Sequence, residues 1–285
     1  MNRGINDLRD KEAKTIVVFG DSHAAGTSAS ASEMTWPEIL KDLIDVFQDN
    51  PVDLINNSLS ADVLSKSSPM YEDYEGKRPI GIERYEKHII DPDPDIVILS
   101  YGYNDLRSGT PIDDFRKDFE TVLKSIKSST EALIIVLNIA AIPSEGYENT
   151  TGGTDTGKSW DHGTRETHTL YNLMLNDVAE DQKVVFVDVH SAQVRAPWTF
   201  CSTDGKGDNH ANDLGHRLIA HRVFETLATR CSFMSVKPQK TMKKATSKTW
   251  RYNKESREAE QIADFYPDSP EVARHKKKPT KKAKK

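Results

Sequence analysis

The chain has 285 residues, 36% of them hydrophobic and 29% charged, with a formal net charge of -5. That length accommodates one large domain or one domain with an appendage, and the low apolar fraction calls for polar loops or a polar tail. No apolar run approaches the roughly 18 residues needed to span a bilayer, and the first fourteen residues lack the apolar middle of a secretory signal.

The charge is unevenly spread. From residue 236 onward there are 16 Lys/Arg against 6 Asp/Glu, and the preceding residues carry 23 against 38. An acidic body and a basic tail behave as separate electrostatic objects. The body repels nucleic acid, whereas the Lys-rich end, Lys276 to Lys285, is a candidate polyanion contact. The two cysteines, Cys201 and Cys231, are far apart and fit no metal spacing, so a reducing, cytoplasmic setting is the expectation, with a single disulfide as the alternative.

In chain order, residues 1–14 read as a solvated lead-in. Thr15 to Phe19 is an apolar, β-branched run that predicts a buried central strand. Gly20 is placed for a sharp turn, and Ser22 follows at the strand's carboxyl end. Thr35 is a candidate cap for a helix with Pro37 in its first turn and Ile39, Leu40, Leu43, Ile44 and Phe47 on one face. Val52 to Asn56 predicts a second strand, with Ser58 just beyond it. Residues 66–81 read as irregular, and Ile82 to Ile90 as a helix.

The turn signals of Asp91 to Pro94 announce a third strand, Asp95 to Gly102, followed by Asn104 and Asp105. Helical spacing runs from Pro111 to Ser129. Ala132 to Asn138 is the fourth strand, and Pro143 to Gly163 a long polar loop of the kind that is usually functional. A helix over Thr164 to Asp181 leads to the fifth strand, Lys183 to Asp188. The last helix starts near Asn212, with Leu214, Leu218, Ile219, Val223 and Leu227 expected inside. After Phe233 the pattern stops, apart from a weak helical patch at Ser256 to Phe265. Residues 234–285 read as a basic, mostly disordered tail.

Alternating strands and helices predict a parallel sheet with helices on both faces, because parallel strands need crossover connections. In such a sheet the carboxyl ends of the strands share one edge. Ser22, Ser58, Asn104 and His210 all fall just past strands. Acyl transfer needs a nucleophile, a base, a group orienting the base and donors for the oxyanion. Ser22, His210, a nearby aspartate, Asn104 and backbone N–H groups would supply them.

Gly20, Asp21 and Ser22, then Gly102 to Asp105, then His210 to His216 resemble the blocks of the SGNH (GDSL-type) hydrolase superfamily over about residues 15–230. The resemblance implies a flavodoxin-like, three-layer α/β/α fold with a five-stranded parallel sheet, and serine-dependent ester hydrolysis without a cofactor or metal. It makes Ser22 the nucleophile and an oxyanion N–H donor, Asn104 an oxyanion amide and His210 the base. Two positions depart from the pattern. Ser58 occupies the glycine slot of the second block. Gly207 stands where the aspartate belongs, which leaves Asp208 as the orienting carboxylate and Asp204 as its alternative.

His216 reads as a packing residue and Asp21 and Asp105 as turn or hydrogen-bonding residues. Trp36, Trp160 and Trp198 are candidates for a substrate cleft or for packing. Asn149 to Thr151 matches a glycosylation acceptor, relevant only to an exported chain. The polar 144–163 region points to a small, hydrated ester, best an O-acetyl group on a carbohydrate. A lysophospholipid or thioester is the next choice, and a carbohydrate-binding member without turnover is the rival class.

Overall fold

The computed structural model describes residues 7–148, 160–202 and 209–234, all within the compact unit Met1–Ser235. Five parallel strands form one sheet: β1 (Thr15–Gly20), β2 (Asp53–Asn56), β3 (Ile96–Ser100), β4 (Leu133–Leu137) and β5 (Val185–Val187). Their order is β2-β1-β3-β4-β5. This is the flavodoxin-like doubly wound arrangement, whose strand order reverses between β1 and β3.

Alternation along each strand divides the core in two. Ile16, Val18, Ile96, Ile98, Ile135 and Leu137 face the helices Trp36–Asp45 and Asp213–Arg230. Val17, Phe19, Val97, Leu99, Ile134 and Val136 face the helices Ile112–Ser129 and Arg165–Gln182. The central strands are therefore apolar on both faces, which is why they read as continuous hydrophobic runs.

All five expected strands are present. Residues 82–90 form a helix, Gly81–Tyr85, that runs on as a π-turn, Glu86–Ile90. The irregular stretch before it contains one short helix, Tyr71–Tyr74. Three expectations are corrected. Residues 7–14 are not a solvated lead-in. The Leu8 N–H donates to Arg230 O (2.9 Å), Asp7 accepts from Ser232 N–H (2.9 Å), Arg9 pairs with Asp95, and Ala13 is buried. The segment is strapped between the last helix and the start of β3. Thr35 does not cap its helix through its hydroxyl, which instead donates to Ser32 O (2.9 Å) in the preceding 3-10 turn.

In the last helix Ile219, Val223 and Leu227 are inside as expected and Leu218 is half-buried, but Leu214 is not inside. Leu214 is 52% exposed, and the inner positions are Gly215, His216, Ile219, Ala220, Val223 and Leu227. Gly215 lies so close to Phe200 that a Cβ there would collide with its carbonyl oxygen. That contact brings 215 and 216 inward and turns Leu214 out. Phe233 and Met234 are also buried, in a 3-10 turn, so the domain extends through Met234. The rest of the expected tail, including the 256–265 patch and the lysine cluster, lies outside the described residues. No helix among the described residues is long and apolar enough to cross a membrane.

Candidate active site

Ser22 opens a four-residue helix immediately after β1, at the point where the strand order reverses. Asp21 caps it, its carboxylate accepting from His23 N–H (2.9 Å). Gly20 is required for space and not for an unusual φ. A Cβ at this position would collide with Ser100 O on β3 and crowd Ala24. The glycine lets β1 and β3 stay paired to their last residues, Gly20 opposite Ser100. Gly102 does take a left-handed conformation, with φ of 120°, where β3 gives way to the helix Tyr103–Ser108 that carries Asn104.

His210 approaches from the other end of the chain. Its Nε2 lies 2.7 Å from Ser22 Oγ across 188 positions of sequence. Ser202 N–H donates to His210 O (2.9 Å), and Cys201 and Ala211 form an antiparallel bridge. Asn212, two residues on, caps the last helix through Gly215 N–H (3.0 Å). Its amide also donates to Thr199 O and Cys201 O, each at 2.9 Å. Cys201 and Cys231 are both buried and not joined in a disulfide.

Asn104 is buried, and its Nδ2 donates to Asp62 O (2.9 Å). The amide carries a second hydrogen for another acceptor. Ser58 N–H donates to Asn56 Oδ1 (3.2 Å), so the donor expected to face an oxyanion is turned toward its own loop here. Asn56 in turn donates to Ala24 O (2.9 Å) in the helix of Ser22. Asp208, its alternative Asp204, and Gly207 lie outside the described residues, as does the 149–151 acceptor. Among the described residues no three His, Cys, Asp or Glu side chains group as a metal site.

The remaining candidates separate cleanly. His216 is fully buried. It accepts from Trp36 N–H at Nδ1 (3.3 Å) and faces Thr27 O with Nε2 (3.3 Å), and burial lowers its proton affinity. Trp36 belongs to the core, where its indole donates to His23 O (3.0 Å). Trp160 packs on the Val63, Met70 and Ile80 cluster. Trp198 is 63% exposed.

The site also contains groups that sequence reasoning missed. The imidazole of His23 packs 4.7 Å from the His210 ring and edge-on against Tyr103 at 4.3 Å. Its signal was available, as a second imidazole directly after the serine. Arg107 is buried and donates to Gly146 O, Trp160 O and Tyr103 Oη, and Asn209 donates to Gly146 O (2.9 Å). These bonds tie Gly146 to Asn209, the residue preceding His210, and tie both Gly146 and Trp160 to Arg107.

Beneath Ser22 lies a buried set of ionisable groups. Burial pushes the Asp21 carboxyl up to about 8 and that of Asp105 up to about 7, with neighbouring carboxylates adding to both. Asp105 accepts from Leu64 N–H (3.0 Å) and Ser65 N–H (3.1 Å). Burial also raises Asp62, against the pull of its ion partner Arg84.

The sequence profile of the GDSL-like lipase/acylhydrolase family matches residues 18–218. No curated protein matches the chain. Solved structures do. A lipase/acylhydrolase from Enterococcus faecalis is 20% identical with a TM-score of 0.58, covering 76% of this chain and 96% of its own. An acetylxylan esterase, Axe2, from Geobacillus stearothermophilus is 16% identical with a TM-score of 0.54, covering 77% and 95%. A psychrotrophic esterase, EstA, from Pseudoalteromonas sp. is 18% identical with a TM-score of 0.51, covering 76% and 97%. At these identities the likeness is one of fold. The profile match spans well over half of the sequence, and on that ground the chain belongs to the GDSL-like lipase/acylhydrolase family.

Proposed function

We propose that this chain is a serine-dependent hydrolase of a small O-acyl ester, best an O-acetyl group on a carbohydrate. The observation that carries the reading is the 2.7 Å approach of His210 Nε2 to Ser22 Oγ at the strand-order reversal. With Nε2 unprotonated, His210 takes the hydroxyl proton as Oγ attacks the ester carbonyl carbon. The negative oxygen that forms is held by Ser22 N–H and the second amide hydrogen of Asn104. Ser58 N–H joins them on release from Asn56. The intermediate collapses, His210 returns the proton to the leaving alcohol, and water then cleaves the acyl-enzyme by the same route in reverse. Asp208, or Asp204, orients the imidazole. The residues alone supply this chemistry, with no cofactor or metal ion in any step.

One observation favours a polar alcohol. A cleft of about 260 Å³ is lined by Ser144, Tyr147, Arg165, Thr169, His190 and Trp198, with Ile142, Val194 and Pro197 as its apolar part. Another wall of that cleft is Ala141, whose carbonyl meets Cys201, the residue paired with Ala211 next to His210. Hydroxyls, the Arg165 cation and an exposed indole suit a sugar ring better than a long alkyl chain. The solved acetylxylan esterase of the same fold acts in that class.

The test is a panel of esters: acetylated xylo-oligosaccharides, short and long p-nitrophenyl esters, and a lysophospholipid. Release of acetate from the oligosaccharides, lost in Ser22→Ala, is the expected result. Preference for long acyl chains would replace the substrate assignment. Carbohydrate binding with no turnover of any ester would replace the enzyme.

A further inference from the structure

Arg84 is a cation in the interior. It sits on the helix Gly81–Tyr85 with its side chain 2% exposed and its guanidinium 4.1 Å over the ring of Phe19 in β1. Nε and Nη2 both donate to Asp62 Oδ2 (3.0 and 2.7 Å). Nη1 donates to Asn57 O (2.6 Å), and Nη2 also reaches Gly20 O (3.4 Å) and Tyr101 Oη (2.6 Å). The Tyr101 hydroxyl donates its own proton to Asp62 Oδ2 (2.6 Å). The helix is bonded to the same loop through its backbone, Gly81 N–H to Val63 O (2.9 Å) and Ile82 N–H to Leu64 O (3.2 Å).

Each acceptor of Arg84 lies beside one oxyanion donor. Gly20 is two residues before Ser22, and Asn57 precedes Ser58. Tyr101 stands three residues before Asn104. Asp62, whose carboxylate binds the guanidinium, offers its carbonyl to Asn104 Nδ2. A single rigid fork therefore spans the ends of β1, β3 and the loop after β2. Such a fork fixes several acceptors at once, which a lysine ammonium cannot do in the same plane.

We infer that Arg84, with Asp62 and Tyr101, is the positioning unit that sets the spacing of the Ser22 and Asn104 donors around the oxyanion and anchors the loop that carries Ser58. The inference rests on the serine hydrolase reading above. Donors stabilise a transition state only when fixed where its charge develops, so a slack frame lowers turnover with little effect on substrate binding. Arg84 touches neither substrate nor the reacting atoms, and its role is carried wholly by the groups it holds.

The test compares wild type with Arg84→Lys and the milder Tyr101→Phe, measured below the thermal midpoint of each. The readouts are kcat and KM on p-nitrophenyl acetate and the inhibition constant of an arylboronic acid, whose tetrahedral adduct on Ser22 places an oxygen among the donors. The expected result is a fall in kcat of about 10- to 100-fold for Arg84→Lys, with KM within about twofold. Boronate affinity should weaken in proportion to kcat/KM. Asn104→Ala should cost less in the Arg84→Lys background than in wild type. Tyr101→Phe should shift kcat and boronate affinity in the same direction, and it decides the matter if Arg84→Lys does not fold. Variants with a lowered thermal midpoint but unchanged kcat and boronate affinity would overturn the inference and leave Arg84 as a packing ion. A wild type that neither turns over p-nitrophenyl acetate nor binds the boronate would sink the hydrolase reading itself, and the positioning role with it.

Discussion

The two halves of the candidate site are built differently. On the Ser22 side the chain leaves the central strands, and what lies beneath is ionisable: Asp21, Asp62, Asp105 and Arg84 are all buried. On the His210 side the described supports hold backbone: a bridge at Cys201 and Ala211, the amides of Asn209 and Asn212 on backbone carbonyls, and the Arg107 guanidinium on Gly146 O. Strand ends are fixed by the sheet, so ionic groups there tune and align donors that already have a frame. A residue carried between a loop and a helix start has no such frame, and its neighbours must hold the backbone itself. Damage on the first side should therefore appear in chemistry, and damage on the second in conformation.

The largest effect expected from this contrast belongs to Asn104. Asn104→Ala removes an amide from the Ser22 side without disturbing the sheet. It should lower kcat about 10²- to 10³-fold with a small change in KM, as steady-state kinetics on p-nitrophenyl acetate would show. A large loss of thermal stability with kcat intact would reverse the contrast. Asn212→Ala probes the other side. It removes a helix cap worth about 1 kcal/mol and two bonds to the 199–201 turn. The melting point and kcat should fall together, with His210 displaced from Ser22. Unchanged melting with a large loss of kcat would place Asn212 in the chemistry instead.

The smallest effect is electrostatic. Unfolded Asp21 loses its proton near its ordinary 3.8, whereas in the folded chain burial holds it to about 8. Between those values the folded state carries the extra proton, so stability falls as pH rises and levels off above the upper value. Asp105, raised to about 7, acts in the same direction. Asp21→Asn keeps a cap oxygen for His23 N–H and removes the titration. Its melting point should decline less between about pH 5 and pH 8 than that of wild type. Equal slopes in the two proteins would mean that Asp21 is ionised inside the fold.

The same contrast explains what the sequence disclosed. Strand ends were legible because each apolar run stops at small or polar residues, so Ser22 and Asn104 could be placed on one sheet edge before any coordinates. Alternation gave a parallel sheet with helices on both faces, and the flavodoxin-like arrangement came from the resemblance of the three sequence blocks. The face of the last helix was legible at Ile219, Val223 and Leu227 but not in its first turn. Counting apolar side chains favours Leu214, while the closest packing is made by Gly215, which has no side chain to count. The Arg84 network was equally hidden. Asp62 and Arg84 are 22 positions apart in polar stretches, and charges in such stretches read as solvated surface until the fold brings them together. Trp36, which the sequence left between a substrate cleft and packing, is core.

The pairing of Ser22 with His210 is tested most directly by labelling the folded protein with a fluorophosphonate and mapping the adduct by mass spectrometry. A single adduct on Ser22, formed rapidly in wild type and at least about 10²-fold more slowly in His210→Ala, is the predicted result. Absence of label from folded wild type, a label on another residue, or an equal rate in His210→Ala would contradict the assignment.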